Sequence, residues 1–368
     1  MASTPQEYKA LVVESKGNLS IKDVPFTAPK RGDVVVRVLA SYVNPNSQEV
    51  LVDGANFLPG SDFPFVWGCQ AVGRVEATGG DEVHVKKGDL VVLDNLLRAR
   101  DIEEVSAIQG LFYKFAPQSK KLMEMYKDGF YAQYAQVPLE NVHVLNENKL
   151  FNQYGYKMED LPQLTRFAVG MGGLNRVQIK PGDTVVIAPS TGKFSGDTVH
   201  LASAMGATVI AASRNKAILD KLAKIFPRAH ALQLTGDIQK DADGMQQWGV
   251  PDAFLDFTPQ MPSIPRHLTS AIQAVKPRGR VCLLGAPQGN VEIPYAFIMF
   301  KNLEFYFNFM YTREDLQQVV RLAESGVLTL GSKAGQEIAT YNLNDWEDAF
   351  KFSAEHATWG NSTAFTFE

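Results

Sequence analysis

Val185-Val-Ile-Ala-Pro-Ser-Thr-Gly-Lys-Phe-Ser-Gly196 is the stretch on which the reading of this chain turns. The continuous apolar run over 183–188 has the composition of a strand buried on both faces of a parallel sheet. A helix is predicted over 195–205, so the polar residues between lie at a strand-to-helix turn. The free N–H groups and the dipole of a helix start make an anion site there. In that setting Gly192 lets the backbone approach a pyrophosphate, and Gly196 lets the helix pack closely on the strand. Ser190, Thr191, Lys193, Phe194 and Ser195 complete the candidate cofactor loop. The full G-x-G-x-x-G pattern is not met, because Pro189 or Ser190 stands where the first glycine belongs; a tight turn without a ligand is the plainer alternative. Two lookalikes fail. A P-loop needs Ser or Thr after Gly-Lys, where this chain has Phe194. A nucleophile elbow needs glycines flanking the serine two residues away on both sides, and Ser195 lacks them.

About 20 residues downstream, a second strand over 208–212 leads into Ser213-Arg-Asn-Lys216. A site for NAD normally places an Asp or Glu there for the ribose 2′-hydroxyl. Ser213, Arg214 and Lys216 offer a hydroxyl and two cations instead, which suit a 2′-phosphate and point to NADPH. Cations at a helix start oppose its dipole, so an ordinary surface role explains them less well. Further strands at 253–257 and 281–284, with helices at 216–225 and 267–275, continue the alternation of a doubly wound α/β sheet. Before residue 145 the texture differs. Short β-rich runs at 10–13, 33–39, 71–77, 90–93 and 131–137 are separated by Gly and Pro turns, as in a small barrel or sandwich. The stretch 98–127 shows no strand pattern and reads as a partly helical excursion. After 300 come a strand at 303–310, a helix at 313–324 and a closing strand at 363–367.

The 368 residues allow roughly two domains. With 36 Lys+Arg against 40 Asp+Glu, no basic excess is available to bind a nucleic-acid backbone. Cys69 and Cys282 are the only cysteines, too few for a disulfide framework or a four-cysteine zinc site. No apolar run approaches the roughly 20 residues of a membrane span, and no secretory or peroxisomal signal is read, so a cytoplasmic protein is expected.

Beyond the loop, the chain resembles the medium-chain dehydrogenase/reductase superfamily. The resemblance rests on Tyr8-Lys-Ala-Leu-Val-Val13, Tyr42-Val-Asn-Pro-Asn46, Gly68-Cys-Gln-Ala-Val-Gly73 and Val85-Lys-Lys-Gly-Asp-Leu-Val91. It continues in Ile179-Lys-Pro-Gly-Asp183, Gly279-Arg-Val-Cys-Leu-Leu-Gly285 and Tyr311-Thr-Arg-Glu-Asp-Leu316. It implies a Rossmann-type domain over 156–300, a GroES-like domain over 1–155 and 301–368, a cleft between them, and a cofactor role for Gly285. Zinc-dependent members carry Gly-His-Glu where this chain has Gly68-Cys69-Gln70, and four cysteines where 95–120 has none. The resemblance therefore implies the zinc-independent quinone and enoyl reductase branch, whose Asn-Pro element matches Asn44-Pro45. Some enoyl reductases use a tyrosine proton donor; the matching neighbourhood here is Gly54-Ala-Asn-Phe57, which has none.

Reducing a C=C conjugated to a carbonyl puts charge on the carbonyl oxygen, which hydrogen-bond donors stabilise. Tyr42, Asn44 and Gln48 are the candidate catalytic donors, with Gln70, Tyr131 and Tyr134 behind them. Packing explains the two later tyrosines better than catalysis does, and a turn cap explains Asn44 equally well. Cys69 has no neighbouring base or cation and reads as a buried structural thiol. The expected activity is NADPH-dependent reduction of a carbonyl-activated double bond in a small apolar molecule. Ketone or aldehyde reduction, and NADPH binding without redox turnover, stand as rivals. The aromatic run Leu303–Met310 is either a dimer-forming edge strand or a buried one.

Overall fold

Strand-forming runs broken by Gly and Pro turns give the first part of the chain its sheets. The computed structural model describes residues 5–53, 63–102, 104–111, 117–260, 265–287 and 289–367. Gly54–Phe57, where a tyrosine donor was sought, lies outside them. In chain order come β1 (Glu7–Ser15), β2 (Asn18–Pro25), β3 (Asp33–Tyr42), β4 (Phe65–Val66), β5 (Ala71–Thr78) and β6 (Leu90–Leu93). Then follow β7 (Leu96–Arg98), β8 (Ser106–Ile108), α1 (Pro117–Met125), β9 (Tyr134–Pro138) and β10 (Val142–Val144). The excursion expected to lack strands thus holds an antiparallel β7–β8 pair as well as α1. Its strands are only three residues each, too short to show an alternation.

The next stretch alternates as expected: α2 (Gln163–Arg176), β11 (Thr184–Ala188), α3 (Lys193–Ala204), β12 (Thr208–Ser213), α4 (Lys216–Ile225) and β13 (Ala229–Gln233). It continues with α5 (Ile238–Gly244), β14 (Ala253–Asp256), α6 (Arg266–Ala274), β15 (Arg280–Leu283), α7 (Tyr295–Lys301), β16 (Glu304–Phe307) and α8 (Arg313–Glu324). The chain closes with β17 (Glu337–Tyr341), α9 (Trp346–Glu355) and β18 (Asn361–Thr366).

Two compact units result, one of Met1–Thr165, Leu330–Ala357 and Asn361–Glu368, the other of Arg166–Thr329 and Thr358–Gly360. In the first, β10-β6-β5-β3-β18-β17 form one sheet and β2-β1-β4 a second, with Leu11, Trp67, Tyr131, Phe350 and Phe365 in its core. Gly68 needs its glycine: it sits at φ +107°, and a Cβ would come 2.4 Å from the Tyr131 ring. In the second unit the parallel sheet runs β13-β12-β11-β14-β15-β16. β11 lies centrally, all five residues buried, between β12 and β14. The chain therefore reverses its direction of travel across the sheet beside β11, and the carboxyl ends of β11 and β14 border the crevice in which such sheets bind ligands.

The boundaries differ from those expected at 156 and 300. β16 pairs in parallel register with β15, Leu283 opposite Phe307, and so belongs to the sheet of the second unit. α8 is tied there too, Asn175 Nδ2 donating to Asp315 Oδ1 at 2.5 Å. The return to the first unit comes only at Leu330. Among the described residues, no helix is long and apolar enough to cross a membrane.

Candidate functional site

β11 runs into Pro189 and delivers the loop 188–196 to the crevice. Ser190 is anchored to the neighbouring strand, its N–H donating to Ala212 O at 3.0 Å. Thr191 Oγ1 and Ser213 Oγ lie 2.9 Å apart, so the tips of β11 and β12 are linked by hydroxyls. Gly192 caps α3 at φ −77°, its N–H donating to Ser195 Oγ at 3.1 Å. A left-handed backbone is therefore not what the glycine provides. Gly285 sits beyond β15, where a Cβ would meet Asp256 Oδ2 and Thr258 at 2.6 Å.

Gly196 has a different reason from the one expected. Its open side faces the Trp359 indole, which an added Cβ would reach at 2.4 Å, and not the strand. Trp359 N–H donates to Thr191 O at 3.0 Å, while its Nε1–H donates to Asp197 Oδ1 at 3.0 Å. Asp197 also accepts from Arg166 Nε at 2.5 Å, and both side chains are buried. Lys193 is buried against this pair, only 5% exposed, so its side chain turns inward and not toward a crevice ligand. Burial first, then the Arg166 charge, pull its pKa down to about 7 against the opposing effect of Asp197. Phe194, by contrast, is 37% exposed.

Of the two cations beyond β12, Lys216 is held by Asp220 at 2.7 Å, one helical turn on. Arg214 is exposed, and among the described residues no side chain pairs with its guanidinium. At the end of β14 lies a cluster that sequence reasoning missed. Asp256 Oδ1 accepts from Thr258 Oγ1 at 2.6 Å and lies 3.1 Å from His267 Nε2. It borders a cavity of about 330 Å³ whose lining includes Leu268, Leu283, Gly285 and Phe307. The signal was weak, because the carboxylate and the imidazole belong to different elements with no shared motif.

In the first unit, Tyr42 and Asn44 do come together. The Tyr131 hydroxyl donates to Tyr42 O at 3.1 Å and accepts from the Asn44 N–H at 3.1 Å. Asn44 Nδ2 donates to Cys69 Sγ at 3.3 Å. Burial pushes the Cys69 thiol up to about 11, with Asn44 and Asn95 pulling the other way. It is thus a protonated, inert thiol at neutral pH. Gln48 does not join the group; its Nε2 donates to Asp53 Oδ1 at 3.2 Å. Gln70 is buried beside Cys69, its Oε1 without a hydrogen-bond partner among the described residues.

Comparison with known proteins agrees with this architecture. Residues 30–147 match the alcohol dehydrogenase GroES-like domain, and 198–325 match the zinc-binding dehydrogenase domain. The chain is 23% identical to a sorbitol dehydrogenase of Bacillus subtilis, over 95% of this chain and 94% of that one. It is 27% identical to a mitochondrial enoyl-[acyl-carrier-protein] reductase of Rattus norvegicus, over 60% of this chain and 50% of that one. Among solved structures, an Escherichia coli alcohol dehydrogenase with NADH aligns at TM-score 0.78 and 18% identity, covering 99% and 100% of the two chains. A zinc-binding dehydrogenase of Sinorhizobium meliloti bound to NADP aligns at 0.77 and 20%, again over 99% and 100%. The chain belongs to the medium-chain dehydrogenase/reductase superfamily and is an oxidoreductase of that class.

The matched domain's name implies zinc, and the donors present do not fit it. Catalytic zinc takes three deprotonated or neutral protein ligands. Cys69 has the carboxamides of Asn44 and Asn95 beside it, and neutral amides are not the ligands of such a site. No three of His, Cys, Asp and Glu converge among the described residues.

Two outcomes follow. Gly196→Ala drives a methyl into Trp359, lowering stability by about 1–3 kcal/mol in thermal denaturation; a variant as stable as the parent protein contradicts the close approach. Because the folded pKa of Lys193 lies below its unfolded value, the unfolded chain binds the extra proton between pH 7 and 10 and the lysine destabilises the fold most at the lower end. Lys193→Met therefore raises Tm at pH 7, and the gain shrinks as the pH is raised toward 10; an equal gain at every pH contradicts the burial argument.

Proposed function

We propose that this oxidoreductase is a zinc-independent, NADPH-dependent reductase of double bonds conjugated to a carbonyl in small apolar molecules. The observation that carries the reading is the donor set around Cys69, which offers hydrogen bonds and, among the described residues, no trio of metal ligands. Without a Lewis acid, a ketone is poorly activated, whereas an enone needs only donors for its developing enolate. Bound NADPH supplies the hydride. Loop 188–196 receives the pyrophosphate at the start of α3, and the Thr191–Ser213 hydroxyl link holds the β11 and β12 tips in register for the ribose. Arg214, exposed and unengaged by other side chains, pairs with the 2′-phosphate; Lys216 contributes less because Asp220 already neutralises it. Tyr42 and Asn44, fixed through Tyr131, supply donors to the carbonyl oxygen. Gln48 takes part only by leaving Asp53.

The relatives' dehydrogenase names favour carbonyl–alcohol chemistry as the second reading. NADPH oxidation with enones, quinones and simple ketones separates the two: turnover of enones or quinones and not ketones supports the first, the reverse supports the second, and tight binding without turnover on any of them refutes both. Arg214→Ala weakens NADPH by at least about tenfold, as loss of a charge-assisted contact does, while NADH affinity stays unchanged. Equal losses for both cofactors contradict the assignment of Arg214.

A second copy of the chain is the proposed partner. β16 ends the sheet with an unpaired edge. Phe307 at its end is 72% exposed, and Tyr295 and Phe300 of the preceding helix α7 are 72% and 79% exposed, an unusual apolar burden for a free surface. Edge-to-edge pairing covers both. Light scattering is expected to show a dimer that Phe300→Asp with Phe307→Lys converts to monomer; a monomeric parent protein refutes the pairing.

A further inference from the structure

The first unit holds a cavity of about 240 Å³ that none of the chemistry above uses. Its walls are aromatic. Tyr8 and Tyr134 lie 5.5 Å apart between ring centroids at 59°, and Phe26 and Tyr134 lie 5.6 Å apart at 84°. The rings therefore meet at steep angles and do not stack. Tyr126 adds another ring, its hydroxyl already spent on Asp33 Oδ1 at 2.6 Å. Cation binding by such walls exploits the negative face of each ring and strengthens as water is excluded.

The charges at the cavity favour the same ligand. Asp128 is exposed on the rim, where its Oδ1 accepts the Val66 N–H at 2.8 Å. Gln109 Nε2 donates to its backbone oxygen at 2.9 Å. Burial raises the pKa of its carboxyl, against the Val66 N–H and the Lys127 charge, which lower it. The carboxylate charge reaches the wall: burial, and then Asp128, push the Tyr8 hydroxyl up to about 12. Glu124 is a second lining carboxylate. Lys127, a lining cation, donates to the Pro64 carbonyl at 2.6 Å and also acts on the Asp128 carboxylate. Arg37 and Lys87, which act on the Tyr134 hydroxyl, do not line the cavity. Met125, 58% exposed at the mouth, supplies a polarisable cover.

We propose that this cavity is a binding site for a small organic ammonium ion, its N-alkyl groups against Tyr8, Phe26 and Tyr134 and its charge beside Asp128. The volume, below the usual range for drug-sized ligands, restricts the ligand to a few carbons around the nitrogen. The site is independent of the redox reading and stands or falls without it.

Choline chloride is the probe, with dimethylbutanol as its uncharged carbon isostere, titrated into the full chain and followed by proton NMR. The expected result is a saturable upfield shift of the choline N-methyl signal, as ring currents from the aromatic walls require, and no saturable shift for the alcohol. Asp128→Asn and Phe26→Leu each weaken choline by roughly tenfold. The second removes no hydrogen bond and so keeps the test open if the first misfolds. Absence of a choline shift, equal binding of the alcohol, or undiminished affinity in a folded Phe26→Leu variant overturns the proposal.

Discussion

The buried ion pair between Arg166 and Asp197 is the constraint on which the second unit's functional end depends. Neither side chain is more than 1% exposed, so the pair survives only because its hydrogen-bonding needs are met. Asp197 meets part of them through the Trp359 indole, which brings the segment 358–360 against loop 188–196. Loss of one partner from such a pair typically costs about 3–5 kcal/mol, because a charge is left uncompensated. The loop thus rests on a platform of Arg166, Asp197 and Trp359, with Lys193 held close to the pair at a cost in charge. His200 belongs to the same interior, stacked on Phe226 at 4.2 Å while Phe226 packs edge-on to Trp359. Burial pulls its pKa down to about 3, so it stays neutral and packs as an aromatic ring.

Sequence alone revealed the elements whose physics is local. The apolar runs at 208–212, 253–257 and 281–284 became β12, β14 and β15 within a residue or two, because strands buried on both faces carry continuous apolar residues. Arg313–Glu324 is a helix over the span expected, its Thr312–Asp315 capping box marking the start. β13 escaped notice: it edges the sheet and reads Ala-His-Ala-Leu-Gln, with neither clean alternation nor a continuous run. β16 is shorter than the aromatic run suggested: the Asn308 N–H still donates to Leu283 O at 3.1 Å, but its Nδ2 donates to Met310 O at 2.6 Å where Met310 turns the chain at φ +61°.

The candidate site was legible to the same degree. The loop, its hydroxyls and Arg214 were readable because strand, turn and helix are contiguous. The platform was not, since Arg166, Asp197 and Trp359 are brought together only by tertiary folding. Lys193 illustrates the difference most sharply: by position it belongs to an anion-binding loop, yet its side chain points into the interior. Lys216 likewise looked free until Asp220 was seen one turn along the same helix. In the first unit, Tyr131 was read as packing or as a donor to the substrate, and its hydroxyl instead joins Tyr42 to Asn44. Gln48 was placed with them by proximity in sequence, and the local turn carries it to Asp53 instead.

The proposed chemistry then rests on one contrast: hydrogen-bond donors gather around the Cys69 thiol in the first unit, at the position where the resemblance implies a zinc ligand in zinc-dependent members. The direct measurement is the fate of deuterium from NADPH labelled at the transferable position, with cyclohexenone as substrate and the protein treated beforehand with a strong chelator. The account predicts deuterium on the β-carbon of the product at a rate the chelator does not change. Deuterium on the carbonyl carbon, or a rate abolished by the chelator and restored by zinc, would contradict it.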